Sequence, residues 1–330
     1  MSANDANHPP VPASAPDVTV VVVSYNTRDL LRDCLASLPA AAGPRTFETV
    51  VVDNESRDGS ADMVEREFPS VRVIRPGRNL GFAAANNRGF AVARGRFLYC
   101  LNPDTRSHDG SLDALVRVLE EEPDVGYVGP RLLNADGTHQ LSAYRFHTAL
   151  TPFVSWSMLG LDRRFPHSRH ATSMHHAYGC DEPFAAEWLL GAAILVRREA
   201  VEAAGGFDEG YFLYAEEIEW CHRLARAGWR GRYAPEATVT HIRSASTSHL
   251  DDSHAFKGHD PRLLVHAHRK LARQTLGPLG PFAYTSMHVL GMSLALGRNL
   301  PGLPQRDAAK ARAARLWIRY LLLPGRKPSR

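Results

Sequence analysis

The chain is 330 residues long, which allows one large domain or two modest ones and a core that needs no covalent staples. With 44% hydrophobic and 22% charged residues it is neither disordered nor fibrous. Its four cysteines (Cys34, Cys100, Cys180, Cys221) contain no CxxC pair, which excludes a zinc ribbon, a redox motif and a disulfide framework. The net charge of +4 is unevenly placed: within residues 298–330 nine Lys/Arg face one acid, Asp307, and the rest of the chain is mildly acidic. Such a tail suits an anionic surface, membrane or nucleic acid. Nothing in the body supports base readout, so no nucleic-acid partner is expected. Residues 1–16 lack the basic and apolar regions of a signal peptide, which predicts a disordered leader on a cytosolic protein.

From residue 18 the pattern alternates. Residues 18–23 (VTVVVV) form a continuous β-branched run, the mark of a strand buried on both faces. Residues 27–38 carry Leu30, Leu31, Cys34, Leu35 and Leu38 at helical spacing. Strands are predicted at 47–52, 71–74, 96–101 and 125–129, and helices at 60–68, 83–94 and 112–121. This βαβα order predicts an α/β fold, a doubly wound, mostly parallel sheet flanked by helices, with ligands outside the carboxyl ends of the strands.

Residues 145–182 break the rhythm. They are aromatic and rich in histidine (His167, His170, His175, His176), and read as a solvated loop, a flap over substrate, or a metal site of no known zinc spacing. Regularity returns at 188–196, followed by a helix at 198–204, a turn at 205–209, a helix at 216–227 capped by Gly228, and a short strand at 238–242. Residues 274–297 carry no charge but are diluted by glycine, proline and polar residues, which favours a membrane-surface segment over a spanning helix. Residues 312–323 mix Arg312, Arg315 and Arg319 with Leu316, Trp317, Tyr320 and Leu323, either a basic amphipathic helix on anionic lipid or a helix packed on the body.

Three acidic clusters follow predicted strand ends or open a predicted helix. Asp53-Asn54-Glu55-Ser56-Arg57-Asp58-Gly59-Ser60 could read a base or ribose edge, or simply form a turn and helix cap. Leu101-Asn102-Pro103-Asp104-Thr105 presents two oxygen ligands suited to a divalent cation shared with a diphosphate, or makes a polar turn. Glu216, Glu217 and Glu219 open a helix, whose N-terminus favours negative charge and offers a platform for a general base.

These motifs, in this order, resemble glycosyltransferase family 2, the inverting enzymes of the GT-A fold, and among them the bacterial rhamnosyltransferase-like members. The carriers are VVVVSYN (20–26), VVDNESRDGS (51–60), RNLGFAAANNRG (78–89), LNPDT (101–105), EWLLGAAILVRREA (187–200), GGFDEGYFLYAEEIEWCHR (205–223) and THIRSAS (240–246). The resemblance implies that Ser24, Tyr25 and Asn26 line the nucleotide pocket, that Asp53 reads the pyrimidine, and that Asn79 and Gly81 lie over the nucleotide. It implies that Asp104 and His241 hold a divalent cation, Mg²⁺ or Mn²⁺, on the donor diphosphate, with Asn102 in the first acidic position of the motif. Glu217 takes the base role, with Glu216 and Glu219 as competing assignments. Trp188, Gly191, Asp208 and Glu216 would border the sugar and acceptor.

The implied donor is a nucleotide diphosphate sugar, dTDP-rhamnose in the first instance, and the implied acceptor a glycan or polyprenyl-diphosphate-linked glycan of a cell-surface polysaccharide. The implied location is cytoplasmic, peripheral on the inner face of the plasma membrane through the basic tail. Residues 17–250 would form the catalytic domain, with 17–130 holding nucleotide and 131–250 holding acceptor, and residues 251–330 a helical appendage. The rivals are a sugar nucleotidyltransferase and a non-catalytic carbohydrate-binding protein. The first lacks its glycine-rich phosphate loop here, since residues 24–29 contain no glycine; against the second stand the acids at 53, 104 and 217. No GxGxxG follows the first strand, as a dinucleotide-binding dehydrogenase would require.

Overall fold

The structure, a computed structural model, describes residues 15–157, 159–242, 261–298 and 308–322. Most of the leader expected at 1–16, residues 243–246 of the THIRSAS segment, and Arg306, Arg326, Lys327 and Arg330 of the basic tail lie outside the described residues.

The β-branched run becomes β1 (Val18–Ser24), buried along its whole length because strands pair both its edges and helices cover both its faces. There follow in order α1 (Arg28–Ala42), β2 (Phe47–Asp53), α2 (Ser60–Glu67), β3 (Arg72–Ile74), α3 (Phe82–Phe90), β4 (Phe97–Leu101), β5 (Thr105–Ser107), α4 (Ser111–Glu121), β6 (Val125–Leu133), β7 (His139–Gln140) and β8 (Ala143–Tyr144). The histidine-rich stretch holds three short helices, α5 (Thr151–Trp156), α6 (Leu161–Arg164) and α7 (His175–Tyr178). Then come β9 (Phe184–Ala186), β10 (Trp188–Leu189), β11 (Ala193–Arg197), α8 (Arg198–Ala204), α9 (Glu216–Arg226), β12 (Arg230–His241), α10 (Pro261–Leu276), α11 (Gly280–Gly297) and α12 (Ala308–Leu322).

The main sheet runs β3-β2-β1-β4-β11-β6-β12-β5, with β7 on β6 and β9 on β12. β3, β2, β1 and β4 are mutually parallel, as βαβ connections dictate; β11 is antiparallel to both β4 and β6, and β5 is antiparallel to β12. The period of two along β4 sends Phe97, Tyr99 and Leu101 to one face and Cys100 to the other. The first face is covered by α1 and α4 through Leu31, Leu35, Leu38, Leu112, Leu115 and Leu119. The second is covered by α3, α8 and α9, where Phe207 and Trp220 lie 4.2 Å apart. Each such fully buried aliphatic side chain contributes about 1.5–3 kcal/mol, so the two layers hold the strand ends in fixed relation.

Several boundaries differ from expectation, and β6 runs to Leu133, four residues past the strand predicted at 125–129. Residues 188–196 form two strands, because the chain bends at 190–192 on leaving the small β8–β10 ribbon to enter the main sheet. The helix at 83–94 ends at Phe90. β12 starts eight residues earlier than the predicted 238–242 strand, at Arg230, because β6 and β9 supply partners on both sides.

α10, α11 and α12 pack on the body. Ala267 and Leu271 of α10 join the core under α9, while Val265, Tyr284, Met292, Trp317 and Leu321 make a separate cluster against Trp156. Residues 316–321 therefore follow the packed alternative. In the histidine-rich stretch, His175 donates Nδ1–H to the Gly179 carbonyl and accepts at Nε2 from the Ser142 and Ala143 amides, a purely structural use of both nitrogens.

Candidate active site

Strand register brings the distant motifs to one edge. Ser24 pairs with Asp53 at the carboxyl ends of β1 and β2, and Val22 pairs with Leu101 at the end of β4. Leu101 in turn faces Ala193, so antiparallel β11 begins at this edge and the preceding bend, with Gly191, opens on it; the Asn102 amide donates to Ala192 O (2.9 Å). From Asp53 to Gly191 the path crosses three strand spacings, about 14 Å.

At the β2 end, Asp53 is 7% exposed; its Oδ2 accepts from the Ser56 amide (3.2 Å), and its Oδ1 is buried without a partner. A buried carboxylate oxygen left unsatisfied is costly, and a ligand donor would satisfy it. Asn79 and Gly81 are joined to this loop by Asn54, whose side chain donates to Asn79 Oδ1 (2.9 Å) and accepts from the Leu80 amide (2.8 Å). Gly81 has φ +78°, and a Cβ there would collide with the Phe212 carbonyl oxygen, so only glycine lets the two loops touch. Tyr25 is exposed, Asn26 holds the Arg57 amide with its Oδ1 (2.7 Å), and Ser24 is fully buried with its hydroxyl against Thr27 Oγ1 (3.0 Å). Ser24 thus supports the loop from beneath and does not reach the surface.

After β4, Asp104 meets His241 from the end of β12: Oδ1 and Nε2 are 3.4 Å apart, and both residues are more than nine-tenths buried. Asn102 Nδ2 lies 3.4 Å from the same Nε2, and His241 Nδ1 lies 2.7 Å from Gln140 Oε1. A carboxylate and an imidazole nitrogen facing each other across this gap suit a hard divalent cation that keeps its remaining positions for phosphate oxygens and water. Among the described residues no larger group of His, Cys, Asp and Glu is gathered for a metal.

The three glutamates separate clearly. Glu219 is buried in an ion pair with Arg223 (2.7 Å), a structural role. Glu216 is buried outright, its carboxyl pushed well above the usual range by burial and by the neighbouring Glu217. Glu217 is half-buried and packs against Gly191, where a Cβ would lie 3.5 Å from its own; its Oε2, like those of Glu216 and Glu219, is buried without a hydrogen-bond partner. Burial pushes its carboxyl up to about 7, although the amides of Glu217, Ile218 and Gly191 pull the other way. A carboxylate tuned toward neutrality beside the strand ends is the profile of a general base.

Two predicted residues are engaged elsewhere. Trp188 is 7% exposed, stacks on Tyr144 at 4.3 Å and donates its indole N–H to Arg145 O (2.9 Å). Asp208 pairs with Lys270 of α10 (2.8 Å) and accepts from Gln274 (3.0 Å), which ties the 205–215 loop to the C-terminal helices.

Sequence reasoning passed over several contributors. Asn87, inside the RNLGFAAANNRG motif, exchanges two 2.9 Å hydrogen bonds with the backbone of Phe207 and so latches α3 to the loop before α9. Among the described residues, the non-glycine positions with positive φ are Asn26, Glu55, Tyr214 and Ala215, all in loops around this edge. Such conformations cost on the order of 1–3 kcal/mol each and gather where function requires them. Tyr214 and Ala215 stand immediately before Glu216, and no composition signal marks them.

The profile described as Glycosyl transferase family 2 matches residues 19–180. The chain is 31% identical over 273 residues to the N-acetylglucosaminyl-diphospho-decaprenol L-rhamnosyltransferase of Mycobacterium tuberculosis (strain ATCC 25618 / H37Rv), covering 76% of this chain and 81% of that one. The chain belongs to glycosyl transferase family 2. It is therefore a glycosyltransferase. Rhamnosyltransferase WbbL of Escherichia coli (strain K12) is 25% identical over 276 residues, covering 78% of this chain and 94% of its own. Among solved structures, mannosyltransferase PcManGT from Pyrobaculum calidifontis, in complex with GDP-Man and Mn²⁺, has a TM-score of 0.53 at 18% identity, covering 95% of this chain and 87% of that one. GalNAc-T7 with UDP, GalNAc and Mn²⁺ has a TM-score of 0.50 at 18% identity, covering 69% and 43%. At such identities the likeness concerns the fold, and the family 2 chain has the GT-A architecture.

Proposed function

We propose that this family 2 enzyme is a metal-dependent, inverting transferase that moves rhamnose from dTDP-rhamnose to a hydroxyl of a polyprenyl-diphosphate-linked glycan, a step in building cell-surface polysaccharide. The observation that carries the reading is the half-buried Glu217, set against Gly191 on the same sheet edge as the Asp104–His241 pair and the unsatisfied Oδ1 of Asp53. The rhamnosyl group and the polyprenyl-diphosphate-linked acceptor are supported by the activity for which the mycobacterial relative is named.

Asp53 would accept a hydrogen bond from the base or ribose. Asp104 and His241, with Asn102 alongside, would hold the divalent cation, Mg²⁺ or Mn²⁺. When bound, that cation supplies charge neutralisation on the departing diphosphate. Glu217 takes the proton from the acceptor hydroxyl as that oxygen attacks the anomeric carbon from the face opposite the leaving group. One proton moves to Glu217, the new C–O bond replaces the old, and the configuration inverts.

An enzyme that meets a polyprenyl acceptor needs a membrane surface, in this reading the cytoplasmic, inner face of the plasma membrane. Among the described residues no helix is long and apolar enough to cross a membrane. The outer face of α11, however, exposes Phe282 (75%) and Leu290 (53%), with Leu279 (77%) just before the helix and the exposed Arg273 preceding it. An apolar face beside basic residues fits the interface of an anionic bilayer.

The reading is tested by incubating the enzyme with dTDP-rhamnose, Mn²⁺ and a short-chain polyprenyl-diphosphate N-acetylglucosamine, and assigning the anomeric configuration of the product by NMR. Retained configuration overturns the mechanism. A thermal-shift series of nucleotide diphosphates and nucleotide sugars identifies the donor, since ligand at 100 times its Kd stabilises by about 2.7 kcal/mol.

A further inference from the structure

His241 presents a question that its sequence position leaves open: which of its two nitrogens carries the proton. The answer is written in a chain of hydrogen bonds that starts at the surface. In the β6–β7 hairpin, Thr138 donates its hydroxyl proton to Asp136 Oδ1 (2.6 Å), so its oxygen is left to accept. Asn134 Nδ2 donates to that oxygen (2.9 Å) and leans toward the His139 carbonyl (3.4 Å), which has no proton to give. Both contacts hold the Asn134 amide one way round and turn its Oδ1 to Gln140, whose Nε2 donates to it (2.9 Å). Gln140 is 4% exposed, so its orientation is set by this partner and not by water. Its Oε1 therefore faces His241 Nδ1 at 2.7 Å and can only accept. Nδ1 must carry the proton, and Nε2 offers its lone pair toward Asp104.

We propose that Gln140, aligned by Asn134, is a positioning residue that locks His241 in the Nδ1–H tautomer so that Nε2 is the cation ligand beside Asp104. This rests on the metal reading of that pair given above. Histidine ligands generally donate their second N–H to a fixed acceptor, and losing that acceptor typically weakens metal affinity 10–100-fold. Register explains the reach: Leu132 pairs with Gln140 on β6–β7, and Leu132 also faces Val239 of β12, two residues before His241.

The test uses the full chain. In metal-free protein, long-range ¹⁵N–¹H NMR of His241 should show the proton on Nδ1; a proton on Nε2 overturns the proposal. Mn²⁺ titrated by EPR or calorimetry should bind 10–100-fold more weakly to Gln140→Leu. Gln140→Glu keeps an acceptor toward Nδ1 and should restore most of the affinity, which a merely structural role would not do. In a His241→Ala background, Gln140→Leu should have no further effect. If His241→Ala weakens Mn²⁺ binding and folded Gln140→Leu does not, the relay is wrong while the metal site stands. If His241→Ala binds Mn²⁺ as tightly as the parent, the metal reading falls and the relay falls with it. Should Gln140→Leu not fold, the parent's tautomer and the Gln140→Glu titration still decide.

Discussion

Replacing Glu217 with glutamine preserves the shape of the side chain and removes its charge, and the two consequences have opposite sign. A general base typically contributes 10²–10⁴-fold, so kcat should fall by that factor, about 3–5 kcal/mol of transition-state stabilisation. The same carboxylate burdens the fold. In an unfolded chain a glutamate titrates near about 4.3, whereas burial raises Glu217 to about 7. Between those values the folded protein keeps a proton that the unfolded chain has lost. The carboxyl's contribution is therefore fully present below about pH 4 and is lost as pH rises to about 7. Glutamine cannot ionise, so at pH 8 the variant should be more stable than the parent by on the order of 1–3 kcal/mol, and near pH 4 the two should match. The assays are steady-state kinetics across pH 5–9, where the parent's kcat/KM should rise through a limb near 7, and chemical denaturation at pH 4 and pH 8. A Glu217→Gln enzyme with parental kcat and an intact limb would refute the base assignment. A variant equally or less stable at pH 8 would refute the burial argument. Glu216→Gln serves as the control and should keep the limb.

Four further outcomes are expected. Asp104→Ala should abolish the dependence of activity on divalent cation, read by titrating Mn²⁺ into metal-stripped enzyme; unchanged dependence removes Asp104 from the site. Gly81→Ala should destabilise by more than about 2 kcal/mol in denaturant melts, because it adds left-handed strain to a collision with Phe212 O. His288, 5% exposed, has its pKa lowered to about 3, first by burial and then by His268. From about pH 6.5 downward the unfolded chain takes up a proton that the folded chain refuses, so stability at pH 5 should be lower by about 2 kcal/mol through this residue, and a His288→Phe variant should lose that part of the pH dependence. Phe282→Asp should reduce sedimentation with vesicles containing anionic phospholipid while leaving nucleotide thermal shifts unchanged; full retention on vesicles speaks against α11 as the membrane face.

The strands of the first half were legible because β-branched runs such as VTVVVV are explained by burial on both faces alone, and the parallel order follows from the helices between them. The positions of Asp53 and Asp104 were legible from the same runs: Asp53 closes β2, and Asp104 lies three residues past the end of β4. The 188–196 segment was not, since its bend is imposed by a partner ribbon, β8, more than forty residues away in sequence. Trp188 and Asp208 were carried by motif, yet their side chains are engaged by Arg145 O and by Lys270, partners that no local pattern links to them.

Sequence alone determined the alternation of elements, the family, and the edge at which chemistry must gather, because these depend on local periodicity and on handed connections. Tertiary structure alone decided which of three neighbouring glutamates is left half-buried beside Gly191, and which way His241 turns. Those choices depend on what lies opposite each side chain — Arg223 for Glu219, Gly191 for Glu217, Gln140 for His241 — and desolvation and hydrogen-bond direction exist only once such partners have met.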